Sequence, residues 1–364
     1  MSGRSFTAIS DWAGDLALVI AAVLLASMWV AGQAAKDGAS AKKAAATKRW
    51  TPPRTPDGQP DLQGVWLSNS ATPLERPKAF EGREFLTDDE VAELKRRAAR
   101  LFQSDNGDFA GGDNFFRALL ANPEHYKNPN ATEGADDMIE RKFDNRTSLI
   151  VDPPDGKIPW TPEGQKRQAA AVAARQASDA AGAKDLPNDA RCLTYGVPRL
   201  GDPYGAGPFS YYQILQGPGY VVLMMEYIHE ARIIALDGPL GGRPHLRESL
   251  RQLDGDSRGR WEGNTLIVDT TNFSAQSFFM GSAENLHLVE RFTRVAPDTI
   301  HYEITLDDPT TWTKPWKAEM PLKQTQEAIY EVACHEGNIE VMHNILAGAR
   351  AADTAAEGAG KGRK

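Results

Sequence analysis

Two cysteines in 364 residues leave little room for thiol chemistry. No CxxC or HExxH spacing occurs, which argues against the common zinc and dithiol arrangements. A Gly-x-Ser-x-Gly elbow, a P-loop and a dinucleotide fingerprint are also missing, so nucleophilic serine chemistry and nucleotide cofactors have no support. Positive charge is scarce. Lys and Arg number 41 against 49 Asp and Glu, a formal net charge of -8 that speaks against a nucleic-acid partner. The basic pieces are short: Lys42-Lys43, Lys48-Arg49 and the tail Lys361-Gly362-Arg363-Lys364. No internal repeat is evident, and neither a metal nor a cofactor is expected.

One long apolar run is present. Leu16 to Ala31 is almost unbroken and is followed by Gly32-Gln33-Ala34-Ala35. A spanning helix needs about 20 apolar residues, so this length with small residues behind it reads as a secretory signal peptide cleaved after Ala34 or Ala35. Lys36, Lys42 and Lys43 leave an uncleaved anchor as the alternative. Either way the globular part is expected outside the cytoplasm, periplasmic or secreted, with membrane contact only through that segment. In such a compartment an even cysteine count favours a Cys192–Cys334 disulfide.

The chain is organised around Asp254 to Asp307. Gly263-Asn264 sits between strand-like runs as a hairpin signal. From Leu286 to Val295 one face carries Leu286, Leu288, Glu290, Phe292 and Arg294, and the other His287, Val289, Arg291, Thr293 and Val295. After Ala296-Pro297-Asp298 the alternation resumes with Ile300, Tyr302, Ile304 and Leu306 on one face. Ionisable groups among apolar ones suggest a curved sheet with a partly polar interior. Further strand candidates are Asp61 to Trp66 with its Gly64-x-Trp66 step, Tyr211 to Gln216, Tyr220 to Tyr227, Arg232 to Leu236, Trp316 to Leu322 and Ala328 to Cys334. The fold class expected is mainly β, an antiparallel meander closing as a lipocalin-like barrel or folding as a sandwich, with helical N-terminal additions.

Helix signals are confined to the N-terminal half. Thr87-Asp88-Asp89-Glu90 is a capping box before Val91, Leu94, Ala98 and Leu101 at helical spacing. Thr161-Pro162-Glu163 supplies a cap, an N1 proline and an acidic first turn for a second, Ala-rich surface helix. Asp105-Asn106-Gly107-Asp108 lacks the remaining spacing of an EF-hand loop. The divisions expected are 1–35 as signal or anchor, 36–60 as linker, 61–190 as helices and loops packed on the barrel, 191–350 as the β-domain and 351–364 as a disordered tail.

The phrases PDLQGVW, DNRTSLIVDPPDGKIPW, RCLTYGVPR, GDSRGRWEGNTLIVDTTNF, ENLHLVERFTRV, YEITLDDPTTWTKPW and YEVACHEGN carry a resemblance. Over roughly residues 50–350 the chain is similar to a family of predicted exported proteins common in soil bacteria such as acidobacteria and proteobacteria. The resemblance implies a bacterial exported protein and brings no activity and no catalytic residue with it.

Candidate chemistry therefore rests on His, Glu, Asp and Arg at strand ends. In a meander, alternate ends share a rim, and a barrel mouth is where one small ligand binds. His229, Glu284 and His287 are the candidate proton-moving and orienting groups, with His335 as a further histidine. Glu226, Arg232, Asn285 and Arg291 are candidates for holding substrate, an arginine taking an anion or enolate. Trp312 and Trp316 are candidates for an aromatic wall, with core or edge cover as the competing role. His229, Arg232, Glu284 and His287 are expected to converge on one rim. The expectation is an exported enzyme acting on a small sugar-derived or aromatic molecule by general acid–base chemistry, as lyase, isomerase or hydrolase. The alternative is a lipocalin-like binding protein, and the partner in either case is a small molecule.

Overall fold

The computed structural model describes residues 50–103, 120, 142–176, 186–198, 211–238, 244–331, 333–336, 338, 342–343, 346–348, 350 and 354. The Leu16–Ala31 run and the Asp105–Asp108 loop lie outside the described residues. Among those described, no helix is long and apolar enough to cross a membrane.

Alternation of apolar and polar residues builds ten strands: β1 (Gly64–Leu67), β2 (Ile150–Asp152), β3 (Tyr211–Gly217), β4 (Tyr220–Met225), β5 (Ala231–Leu236), β6 (Asp256–Glu262), β7 (Thr265–Thr271), β8 (His287–Ala296), β9 (Thr299–Asp307) and β10 (Trp316–Thr325). Nine of them close into a barrel in the order β1-β3-β4-β5-β6-β7-β8-β9-β10 and back to β1. The barrel is thus the outcome, not the sandwich. β10 divides one edge between two partners. Its Lys323, Gln324 and Thr325 pair with β1 and close the ring, while Lys317 and Ala318 pair with β2 outside it.

Two features differ from a plain antiparallel meander behind separate N-terminal additions. Residues 61–190 supply β1 to the wall itself and β2 to its edge. The junction of β5 and β6 is parallel, through Ala235 opposite Arg258 and Leu236 opposite Gly259, so both strands begin at the same end of the barrel. Gly259 makes that junction fit. A Cβ there would come within 2.7 Å of Leu236 and 2.8 Å of Ile234.

Strand parity decides the interior. Leu288, Glu290 and Phe292 of β8 point inward, as do Ile300, Tyr302, Ile304 and Leu306 of β9, and all are buried. One end is shut by the Gly64-x-Trp66 step. The fully buried Trp66 donates its indole N–H to the Leu62 carbonyl at 2.8 Å. The Arg294 guanidinium lies 5.3 Å from its ring centroid and donates to the Asp61 carbonyl at 2.8 Å.

The helices cover the outside. α1 (Asp88–Gln103) opens with the reciprocal cap: Thr87 N–H donates to Glu90 at 2.8 Å and Glu90 N–H to the Thr87 hydroxyl at 3.2 Å. α2 (Pro162–Gln176) is packed more closely than its Ala-rich sequence suggests. Gly164 lies against the Thr311 carbonyl, which an added Cβ would approach to 2.2 Å, and Arg167 donates to the Gly281 and Thr310 carbonyls.

Ala328 to Cys334 is not a strand. With β10 already bonded to β9, β2 and β1, the ring offers no free edge there, and the chain runs on without ladder partners into a helical turn at Cys334. Cys192 and Cys334 are joined, their Cα atoms 5.9 Å apart across 142 positions. The bond ties this turn to residues 186–198, reinforced by Asn338 donating to the Ala190 carbonyl at 2.8 Å. Closing so long a loop stabilises by about 4–5 kcal/mol in the chain-entropy model. The double variant Cys192→Ser/Cys334→Ser is expected to lose roughly that much in a urea titration. An unchanged midpoint would show that the bond constrains nothing the fold needs.

Candidate functional site

The pairings place several loops at one end of the barrel. β3, β5, β6, β8 and β10 begin there, and β1, β4, β7 and β9 end there. This is the end opposite Trp66. A 3-10 turn at Tyr227–His229 joins β4 to β5, with Ile228 at φ +63° and His229 at φ +56°. A β-branched residue in the left-handed region is strained, and such strain gathers at functional sites. The turn is followed at once by Glu230 and Arg232, one at the rim and one inside.

Arg232 enters the barrel from β5 and is buried with Glu290 of β8, which accepts a hydrogen bond from its Nη2. The Tyr302 hydroxyl from β9 donates to the other Glu290 oxygen. Its ring stacks on Phe292 with centroids 4.5 Å apart. Burial, the largest single effect, would lower the arginine, but the Glu290 charge and hydrogen bond together with the nearby Tyr302 and Asp254 outweigh it and hold Arg232 above its ordinary value. Burial first, and the same carboxylate second, push the Tyr302 phenol well above its usual range, so it remains a neutral donor. A cavity of about 10 Å³ adjoins this triad, the room that one water centre needs. Tyr212, Leu223, Met225 and Phe292 line it, and Gly196, Val197 and Pro198 cover it.

A carboxyl pair sits beside the cavity. The Thr194 hydroxyl meets Glu230, and lies 2.6 Å from Asp254 Oδ1. Tyr195 N–H donates to Glu230 at 3.2 Å. Asp254 is pushed up to about 7, by burial first, then by its hydrogen bond to Glu230 and that group's like charge. The nearby Arg232 charge acts in the opposite sense and does not restore the ordinary value. Asp254 is therefore the carboxyl placed to take up and release a proton near neutral pH.

A second cluster lies on the outer face of β6 to β8 at the same end. His245 spans Asp256 at 3.0 Å and Asp269 at 3.1 Å. The half-exposed His287 reaches the two Asp269 oxygens at 3.1 and 3.2 Å. The hydrogen bond to Asp269 raises His287 above its ordinary value, against the opposing effect of burial. Asp256 also carries Leu246 N–H and Arg258, so this cluster straps residues 244–246 to the wall. Among the described residues no three His, Cys, Asp or Glu side chains are grouped so as to hold a metal ion.

His229, Arg232, Glu284 and His287 thus share an end but do not converge. Arg232 points inward, His287 outward, and Glu284 and Asn285 are exposed in the loop before β8. The Glu284 carbonyl, not its carboxylate, accepts from Arg251 at 2.6 Å. Arg291 is on the outer surface between Glu262 and Glu303. Glu226 is buried and accepts Tyr330 N–H at 3.1 Å, with burial raising its carboxyl. His335 is exposed. Trp312 and Trp316 are 1% and 0% exposed and meet edge to face at 5.6 Å, so they fill the core and do not wall the cavity. The residues that sequence reasoning left out of the site are Glu290, Tyr302, Glu230, Asp254 and Thr194. For Glu290 and Tyr302 the signal was present, as polar groups on otherwise apolar strand faces. The meeting of Thr194 with Asp254, 60 positions on, has no local signature.

No family model and no curated protein matches this chain. Its chemistry is therefore argued from these side chains alone.

Removing one member of a buried ion pair strands the other. Arg232→Met is expected to cost about 3–5 kcal/mol, read from urea unfolding. Arg232→Met/Glu290→Met should recover part of that, because the stranded carboxylate goes too while Tyr302 still loses its acceptor. A double variant no more stable than the single would deny that the Glu290 charge is the cause.

Proposed function

We propose that the protein is an exported enzyme acting on a small organic molecule by general acid–base chemistry, with Asp254 exchanging the proton. The observation that carries this reading is the Glu230–Thr194–Asp254 cluster next to the Arg232–Glu290–Tyr302 triad and its cavity, with Asp254 pushed up to about 7. A group that titrates near the working pH passes protons in both directions with little driving force lost. Glu230 and Thr194 hold Asp254 in place, and the Arg232 Nε–H, which has no partner among the described residues, offers a fixed donor to a charge developing in the cavity. The disulfide and the Leu16–Ala31 run support export. The sugar-derived or aromatic character expected of the substrate suits the Tyr212, Phe292 and Tyr302 rings in the lining. The binding-protein reading is favoured by the apolar share of that lining, but a purely apolar ligand needs no proton-sharing pair.

Purified protein incubated with a panel of aldoses, sugar lactones and aromatic carbonyl compounds tests this by NMR. At least one compound should be converted, with an apparent pKa near 7 in kcat/KM. Asp254→Asn should remove that inflection and lower turnover by about 10²–10⁴. Binding without conversion of any member would sink the enzyme and leave the binder.

The same group has a consequence for stability. Its folded pKa is raised from 3.8 to about 7, so between these values the folded state binds more protons than the unfolded one. Stability is then lost as pH rises through that window, and Asp254→Asn should flatten the slope.

A further inference from the structure

Within the acid–base reading, the cavity also says what kind of ligand atom it takes. Arg232 is 7% exposed, and its Nε–H has no hydrogen-bond partner among the described residues although Nη2 is held by Glu290. A buried N–H left without an acceptor costs free energy, and here it belongs to a residue lining a cavity. Both Glu290 oxygens are engaged, one by Arg232 and one by Tyr302, so that carboxylate has little left to offer a donor. The guanidinium charge is already balanced by Glu290. Beyond it lies the Asp254 carboxyl, close enough for its charge to act on the arginine.

We propose that the cavity binds the oxygen of an uncharged compound, a carbonyl above all, on the Arg232 Nε–H, and rejects carboxylates and other anions. An arginine in a barrel mouth suggests an anion holder, and the charge count argues the reverse. An anion would meet a cation already balanced by Glu290, with the Asp254 carboxyl close by, in surroundings where like charges are poorly screened. A neutral carbonyl gives the orphaned N–H its acceptor without adding charge. The space admits one small polar group at the triad. The body of the ligand therefore lies toward Gly196, Val197 and Pro198, among the aromatic and aliphatic side chains of the lining.

Matched neutral and anionic probes test this with the purified full-length protein: benzamide with benzoate, nicotinamide with nicotinate, and δ-valerolactone with 5-hydroxyvalerate. The arginine Nε–Hε resonances are followed by NMR, with Arg232 assigned as the signal that Arg232→Lys removes. At least one neutral probe should shift the Arg232 signal and bind tenfold or more tightly than its anionic partner. Glu290→Gln, which unbalances the guanidinium, should shrink that ratio at least tenfold or invert it. An anion binding as tightly as its neutral partner overturns the proposal, and so does a wild-type Arg232 signal that no neutral probe moves. The two readings fail separately. A neutral probe bound at Arg232 but never converted ends the enzyme and keeps the ligand class, whereas an anion turned over ends the ligand class and keeps the enzyme.

Discussion

An ion pair inside a β-barrel is tolerated only where further hydrogen bonds satisfy both partners, because the desolvation of two charges rivals their attraction. Arg232 and Glu290 meet that condition in part. Glu290 is satisfied on both oxygens, by the arginine and by Tyr302, while the arginine keeps one N–H without a partner. Much of the surrounding structure follows from placing this pair. Two strands distant in the ring, β5 and β8, must bring their inward faces together, and β9 must add a phenol in register, Tyr302 lying directly opposite Phe292. The apolar interior toward Trp66 then isolates the pair from the closed end, so the polar side of the barrel lies at the other rim.

That rim is assembled from segments with little regular structure of their own. Gly196, Val197 and Pro198 cover the cavity, and Thr194 just before them touches both Glu230 and Asp254. Their position depends on distant ties: the disulfide to Cys334, the Asn338 bond to Ala190, and Tyr195 edge-on to Tyr227 at 4.9 Å. The covalent bond thus acts on chemistry as well as on stability, since it holds the segment that sets the carboxyl pair.

Much of the wall was legible in the sequence. Period-two alternation in β8 and β9, the Gly263-Asn264 turn and the Thr87 capping box each report a local preference that packing then respects. The disulfide matches what an expected oxidising compartment and an even cysteine count suggested. The Ala328–Cys334 segment misled because strand propensity is realised only where an edge is free, and β10 had already given its edges to β9, β2 and β1. The site was harder to read. Strand ends pointed to the rim where these polar groups gather, yet parity sends Arg232 inside and His287 outside, and the partner of Asp254 arrives from a loop 60 positions earlier. Such long-range meetings depend on closure of the ring, which no window of sequence contains.

The central claim is that Asp254 at this rim holds a proton near neutral pH. Carbon-13 NMR of the protein labelled at aspartate Cγ, titrated from pH 4 to 9, measures it directly, with Asp254→Asn assigning the resonance. The account predicts a midpoint near 7 for Asp254, far above the 3.8 of an unperturbed aspartate. A midpoint near 4 would mean that Asp254 is fully ionised at neutral pH, and would contradict the account.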